Sequence, residues 1–428
     1  MGSTIPLNGA GAQQSRLKFP GFPNAGLPVF SVSLQFIRRE WITLLAVTAL
    51  VLVPCFWQRR IQAGDLGSHV YNAWLAQLIQ QGNAPGLRIV PQWNNVLFDW
   101  MLSGLASIFG LVAAEKLAVS GAVLIFFWGA FALTCATARS VPWSLLPLIA
   151  AIAYGWTFRA GFFNYYIAIG LSFFALAIFW RGRTSERLIA FAFLPLIWLA
   201  HPLAVLWLVG AASCLVVAER VPRRLHFLFL FAVAAFMLGV HFYLTRHFIT
   251  DGTSTPLHQI TGADQFFLFG IRYFYLALAL SLFVCAAFGV DAFHRRREVG
   301  YWRNFSIPAQ LYAAIEMGVF LLPASIYFPI YGTATAFVME RLSSVSAVLA
   351  CCILAAMQPR KWHVAGFAAF AVVFFAFVYQ DEAVLNGMEQ QAERLVGDLP
   401  PGARVMETIF APPVRASILL TTSWTAPA

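Results

Sequence analysis

The stretch WITLLAVTALVLVPCFW, Trp41 to Trp57, has no charged residue, follows Arg38-Arg39-Glu40 and precedes Gln58-Arg59-Arg60. Seventeen uncharged, mostly apolar residues between charges read as a helix crossing hydrocarbon, because a span needs about 20 mostly apolar residues and every backbone polar group in lipid must be satisfied within the segment. Runs of the same kind recur along the chain at approximately 117–137, 141–157, 163–180, 188–200, 202–218, 225–245, 266–289, 306–323, 342–358 and 364–379. The expected fold is therefore an all-α polytopic membrane protein with about eleven transmembrane helices.

Composition agrees with this reading. Of 428 residues 60% are apolar and 11% charged, against roughly 25% charged in a soluble domain. The formal charge of +10 does not mark a nucleic-acid partner, because the basic residues punctuate the apolar runs and form no single basic face. With the N-terminus inside, 17 of the 28 Lys and Arg fall in the cytoplasm with five acids, a net of +12 there against −1 outside. That asymmetry is the positive-inside bias. The orientation puts the C-terminus extracytoplasmic, and the expected location is a bacterial inner membrane.

Residues 1–40 form a polar, Gly- and Pro-containing N-terminus, expected to be disordered and without the cleavage pattern of a signal peptide. Residues 41–379 make the transmembrane domain, and 380–428 a short extracytoplasmic segment in which 399–405 reads as a turn into a strand. A long first extracytoplasmic loop, about 58–116, contains interfacial helices. Within it Val96–Val112 is apolar but carries Asp99, Gly104 and Gly110, and is expected to lie on the surface or re-enter. The six cysteines sit in apolar runs with no zinc-ligand spacing. No phosphate loop, dinucleotide-binding fingerprint, HExxH or GxSxG motif is present.

The chemistry is sought on the outside. In Gly64-Asp65-Leu66-Gly67-Ser68-His69-Val70-Tyr71-Asn72 a helix starting at Leu66 puts Asp65, His69 and Asn72 on one face. A carboxylate beside an imidazole is suited to proton abstraction; the plainer alternative is that Asp65 caps the helix and His69 lines its polar side. Arg159 with Asn164 and Tyr165 falls in the bend between two spans, suited either to gripping a phosphate and a polar head or to interfacial anchoring. His201-Pro202 marks another outer bend, where a structural role competes with catalysis. Arg246 and Arg341 suit an anionic lipid headgroup or plain snorkelling. Arg272 starts deeper in an apolar run, and Glu316 is the one acid placed within a span.

This arrangement resembles the C-type integral membrane glycosyltransferases (GT-C superfamily). The resemblance rests on one span, a large external loop opening with an acid at Gly64-Asp65, loop helices before the second span, outer bends such as His201-Pro202, and an external C-terminal segment. It implies a polyprenyl-phosphate sugar donor, Asp65 as general base assisted by His69, and external arginines on the lipid phosphate. Metal-using members carry paired acids where this chain has Gly64 and Leu66 around Asp65, so a divalent cation would have to draw on Asp99 or Glu115. The alternatives are a transporter or flippase using Glu316 and the arginines, and a non-catalytic envelope assembly protein.

Overall fold

A computed structural model describes residues 29–138, 141–251, 259, 261–298, 301–329, 333–358 and 360–400. Its helices are α1 (Val29–Phe56), α2 (Leu66–Gln80), α3 (Leu97–Phe109), α4 (Leu111–Ala138), α5 (Leu146–Ala153), α6 (Trp156–Arg159) and α7 (Phe163–Arg181). They continue as α8 (Thr184–Phe191), α9 (Leu194–Ala200), α10 (Pro202–Arg220), α11 (His226–His247), α12 (Ile271–Arg295), α13 (Tyr301–Leu321), α14 (Val338–Leu354) and α15 (Lys361–Gly397). Seven of them are long and apolar enough to cross a membrane: α1, α4, α7, α10, α11, α12 and α15.

The centre of the bundle is the pair α4 and α7, and two glycines account for it. A Cβ on Gly129 would lie 2.3 Å from the Gly170 carbonyl oxygen, and one on Gly170 would lie 2.7 Å from the Phe126 Cα. In lipid, where apolar surface alone does not drive helices together, such close backbone approach supplies the packing. Around this seam Phe126 stacks on Tyr166 at 4.4 Å, and both are fully buried. The apolar stretch of α11, by contrast, buries nothing and forms the rim.

Several expected boundaries move. Helix α1 begins at Val29, so the polar N-terminal segment expected to run to residue 40 is helical for its last part. The run expected as one span over 141–157 is broken into α5 and α6 at Gly155, where a Cβ would meet the Gln265 and Ile152 carbonyl oxygens at 2.8 and 2.9 Å. Its eight-residue α5 cannot cross hydrocarbon alone. The expected helix at 188–200 is likewise interrupted between α8 and α9. Helix α3 is 13 residues long and is separated from α4 by Gly110 at φ 77°.

Helix α15 runs unbroken for 37 residues, so Gln380 to Gly397 is helix where a separate segment was expected. The strand expected at 399–405 lies largely outside the described residues. Strands β1 (Ile249–Asp251), β2 (Ser325–Phe328) and β3 (Thr333–Thr335) form a small antiparallel sheet in the connections after α11 and α13, in the order β1-β2-β3. No run of alternating residues long enough to announce these three- and four-residue strands exists in the sequence.

Candidate functional site

The first turn of α7 is the point on which most of the expected site converges. Asn164 and Tyr165 are adjacent there and buried, and they face opposite ways. Asn164 Oδ1 accepts from the Phe98 backbone N–H at 2.7 Å, and its Nδ2 donates to Asp99 Oδ2 at 2.8 Å and to the Asn95 carbonyl at 3.0 Å. It thereby fastens the start of α3. Tyr165 instead donates its hydroxyl hydrogen to the Arg341 carbonyl at 2.7 Å, and its ring meets His201 edge-on at 5.4 Å.

Asp65 reaches the same place by its backbone. The Gly64 and Asp65 N–H groups donate to the Arg159 and Ala160 carbonyls at 2.8 and 3.1 Å. The fit is tight: a Cβ on Gly64 would lie 2.9 Å from the Ala160 oxygen, and one on Gly161 (φ +81°) only 2.3 Å from the Asp65 nitrogen. Helix α2 then begins at Leu66 with Asp65 at the cap position, but the side chain makes no capping bond. The capping alternative is therefore not what occupies this carboxylate. It is exposed, without a hydrogen bond or ion pair among the described residues, and its charge is felt by Arg341.

The expected pairing of Asp65 with His69 and Asn72 is corrected. His69 Nδ1 lies 2.7 Å from Asp99 Oδ1, with the ring edge-on to Phe98 at 5.1 Å. The reason is the direction of the side chain: α3 packs beside α2 and offers Asp99 from its first turn, so the imidazole leans away from the helix start. Asn72 is exposed and makes no hydrogen bond among the described residues. Asp99, read in sequence as a mark of a surface-lying segment and a possible metal partner, is the site residue missed. Its place in an apolar run was the available signal, since a carboxylate there needs partners.

Arg341 is the cation of the site. Its guanidinium lies over the Phe162 ring at 4.4 Å and the Tyr165 ring at 5.7 Å, and Nη1 is 3.2 Å from His201 Nε2. Among the described residues no carboxylate pairs with it, and its Nε is buried without a hydrogen-bond partner. His201 is held by its backbone extension before Pro202 and by Nδ1, which accepts from the Leu203 N–H at 3.2 Å. A neutral imidazole has one acceptor nitrogen, yet two donors, Leu203 N–H and Arg341 Nη1, point at this ring. A second proton would remove even that acceptor, and burial, reinforced by the Arg341 charge, pushes His201 down to about 3, so the ring stays neutral. The group is short of one acceptor.

Phe337 completes the wall. It precedes α14 in the left-handed region at φ 58°, with its ring 5.5 Å from Phe162 and 5.6 Å from Trp156. A bulky residue there is strained. Nothing in the sequence distinguished this phenylalanine from its forty companions.

The other arginines are elsewhere. The Arg159 guanidinium donates to the Gln62 carbonyl and stacks on Phe269 at 4.1 Å. Arg159 therefore contributes its carbonyl to the site while its charge points away. Arg272 is committed to α15, with Asp381 at 2.6 Å, the Gln380 side chain at 3.0 Å and the Phe377 carbonyl at 3.2 Å. Arg246 is exposed at the end of α11 and makes no hydrogen bond or ion pair among the described residues. Among the described residues no three His, Cys, Asp or Glu side chains converge on a possible metal position.

No family model, no curated protein and no solved structure matches the chain.

Proposed function

We propose that the chain is a C-type membrane glycosyltransferase that moves a sugar from a polyprenyl-phosphate donor to an acceptor hydroxyl at the extracytoplasmic face. In this reading the helices make eleven crossings in a bacterial inner membrane, α5 with α6 and α8 with α9 each counting as one broken crossing. The N-terminus is then cytoplasmic, and α2, α3 and the far half of α15 lie outside. The observation that carries the proposal is the unpaired Asp65 carboxylate, pinned by backbone near an acceptor-poor Arg341–His201 pair.

The chemistry needs one base and one stabilised leaving group. Asp65 takes the proton from the acceptor hydroxyl as its oxygen bonds to the anomeric carbon. The bond from that carbon to the phosphate oxygen breaks, and the electron pair leaves with the lipid phosphate. Arg341, with a guanidinium held flat by Phe162 and Tyr165, meets the added negative charge, and the spare hydrogen between Arg341 and His201 finds its acceptor. His69, Asp99 and Asn164 touch neither reacting group and position α2 relative to α7.

The test is transfer from polyprenyl-phosphate sugars by the purified full chain in proteoliposomes. Asp65→Asn is expected to lower the rate by about 10²-fold or more, the usual worth of a general base, with an unchanged melting temperature. Wild-type transfer by that variant would sink the proposal. A transporter reading draws on one observation, the buried Glu316 with both carboxylate oxygens unpaired. Substrate uptake into sealed vesicles, abolished by Glu316→Gln and indifferent to Asp65→Asn, would favour it.

A further inference from the structure

A second polar cluster lies where the turn Ala263–Phe266 meets α13 and α14. Asp264 Oδ2 accepts from the Ser343 hydroxyl and from Gln265 Nε2 (3.1 Å), and Gln265 is tied onward to Thr157 and the Glu340 carbonyl. Its other oxygen, Oδ1, is buried with no partner. Glu316, on α13, is only 9% exposed and within electrostatic reach of Asp264, and neither of its carboxylate oxygens is hydrogen-bonded. The nearby Ser346 hydroxyl spends its hydrogen on the Leu342 carbonyl. Glu340 adds a third carboxyl with Oε2 unpartnered, and Gln259, buried beside it, leaves its Oε1 unpaired as well.

Donors and acceptors do not balance here. Five buried acceptor atoms lack hydrogens: Asp264 Oδ1, Glu316 Oε1 and Oε2, Glu340 Oε2 and Gln259 Oε1. The titratable and charged neighbours on the surrounding elements are Tyr312 on α13 and Arg341 on α14. The Arg341 guanidinium is turned to Phe162 and His201, so it neutralises none of the three by contact. Buried carboxylates close to one another do not all ionise. The residues do not form a metal cage.

We propose that Asp264, Glu316 and Glu340 form a proton-binding cluster that holds protons at neutral pH and releases them in alkaline medium. The bound hydrogens provide the donors that the buried oxygens lack. Burial, with Glu340 adding to it, raises Asp264 from 3.8 to about 7, in keeping with such a site. The site stands apart from Asp65 and does not depend on glycosyl transfer.

Infrared difference spectroscopy of the detergent-solubilised full chain tests it through the carbonyl stretch of protonated carboxyl groups, followed from about pH 5 to about pH 10, a range chosen around the raised Asp264 value. A band that disappears on alkalinisation is expected, reduced in Glu316→Gln and in Asp264→Asn but not in Asp99→Asn. Should a cluster variant fail to fold, wild-type protein grown on isotopically labelled glutamate still shifts the Glu316 and Glu340 part of the band. Absence of the band in the folded wild type, or its persistence in both cluster variants, overturns the proposal. A melting temperature raised by sodium, magnesium or calcium at constant pH and ionic strength, and no longer raised in Glu316→Gln, overturns it in favour of a metal cation.

Discussion

Replacing Gly161 by alanine displaces Asp65 without touching any charged group. The new Cβ would stand 2.3 Å from the Asp65 nitrogen and 3.0 Å from its Cα. Ordinary contact starts near 3.4 Å, so the Asp65 backbone must retreat by about 1 Å, a displacement that costs an oriented reaction about 10²-fold. The residue also sits at φ +81°, where a side chain costs about 1–2 kcal/mol. Gly67→Ala is the matched control. It lies two residues further on, in α2, with nothing within 4 Å of its Cβ position, and alanine in a helix gains about 0.5–1 kcal/mol over glycine. Transfer rate and melting temperature, measured on both variants in one lipid composition, should show Gly161→Ala slowed by about 10²-fold and Gly67→Ala unimpaired. Full activity in Gly161→Ala, or equal loss in both, would refute the idea that backbone pinning of Asp65 sets the rate.

Asp99→Ala should destabilise the fold by about 1.5–3 kcal/mol, because it strands the His69 and Asn164 donors. Asp65→Ala, in the same loop, should cost under about 0.5 kcal/mol; thermal unfolding in detergent compares them. Gly170→Leu should prevent accumulation of monodisperse protein in size-exclusion chromatography, since the α4 backbone occupies the space its side chain needs. For Asp264 the folded pKa of about 7 lies above the ordinary 3.8, so the folded state holds a proton that the unfolded state has lost. Its stabilising contribution is whole below about pH 4 and disappears as pH rises through about 7. The melting temperature should therefore fall across that window by an amount worth at most about 4 kcal/mol, and Asp264→Asn should flatten the fall.

Apolar runs were legible wherever one helix stayed whole: α4, α7, α10, α11, α12 and the first half of α15. Breaks were harder, because Gly155 ends α5 through contact with Gln265, a residue more than a hundred positions away. Local composition carries no record of that approach. Of the expected site, Asp65, Asn164, Tyr165, His201 and Arg341 meet around the start of α7, while Arg159, Arg246 and Arg272 direct their charges elsewhere. The arginines resisted reading because whether an arginine is free depends on acids far along the chain. Asp381 claims Arg272; among the described residues no acid claims Arg341. His69 was assigned the right neighbourhood and the wrong partner, since the spacing along α2 says nothing about α3.

At 37 residues α15 is about 55 Å long, some 25 Å more than the hydrocarbon it crosses. Its surplus is splinted to the chain that follows α1: Trp57 donates to Glu382 at 2.6 Å, Asn386 exchanges hydrogen bonds with the Arg60 backbone, and Arg59 and Arg60 reach Glu393. A rod braced at two heights is a standoff. It fixes the position of the end of α15 relative to the start of the first loop. Removing one turn between Glu382 and Glu393 would shorten the rod by about 5.4 Å and take the braces out of register together, so the length of α15 and the grip on the first loop are a single mechanical setting.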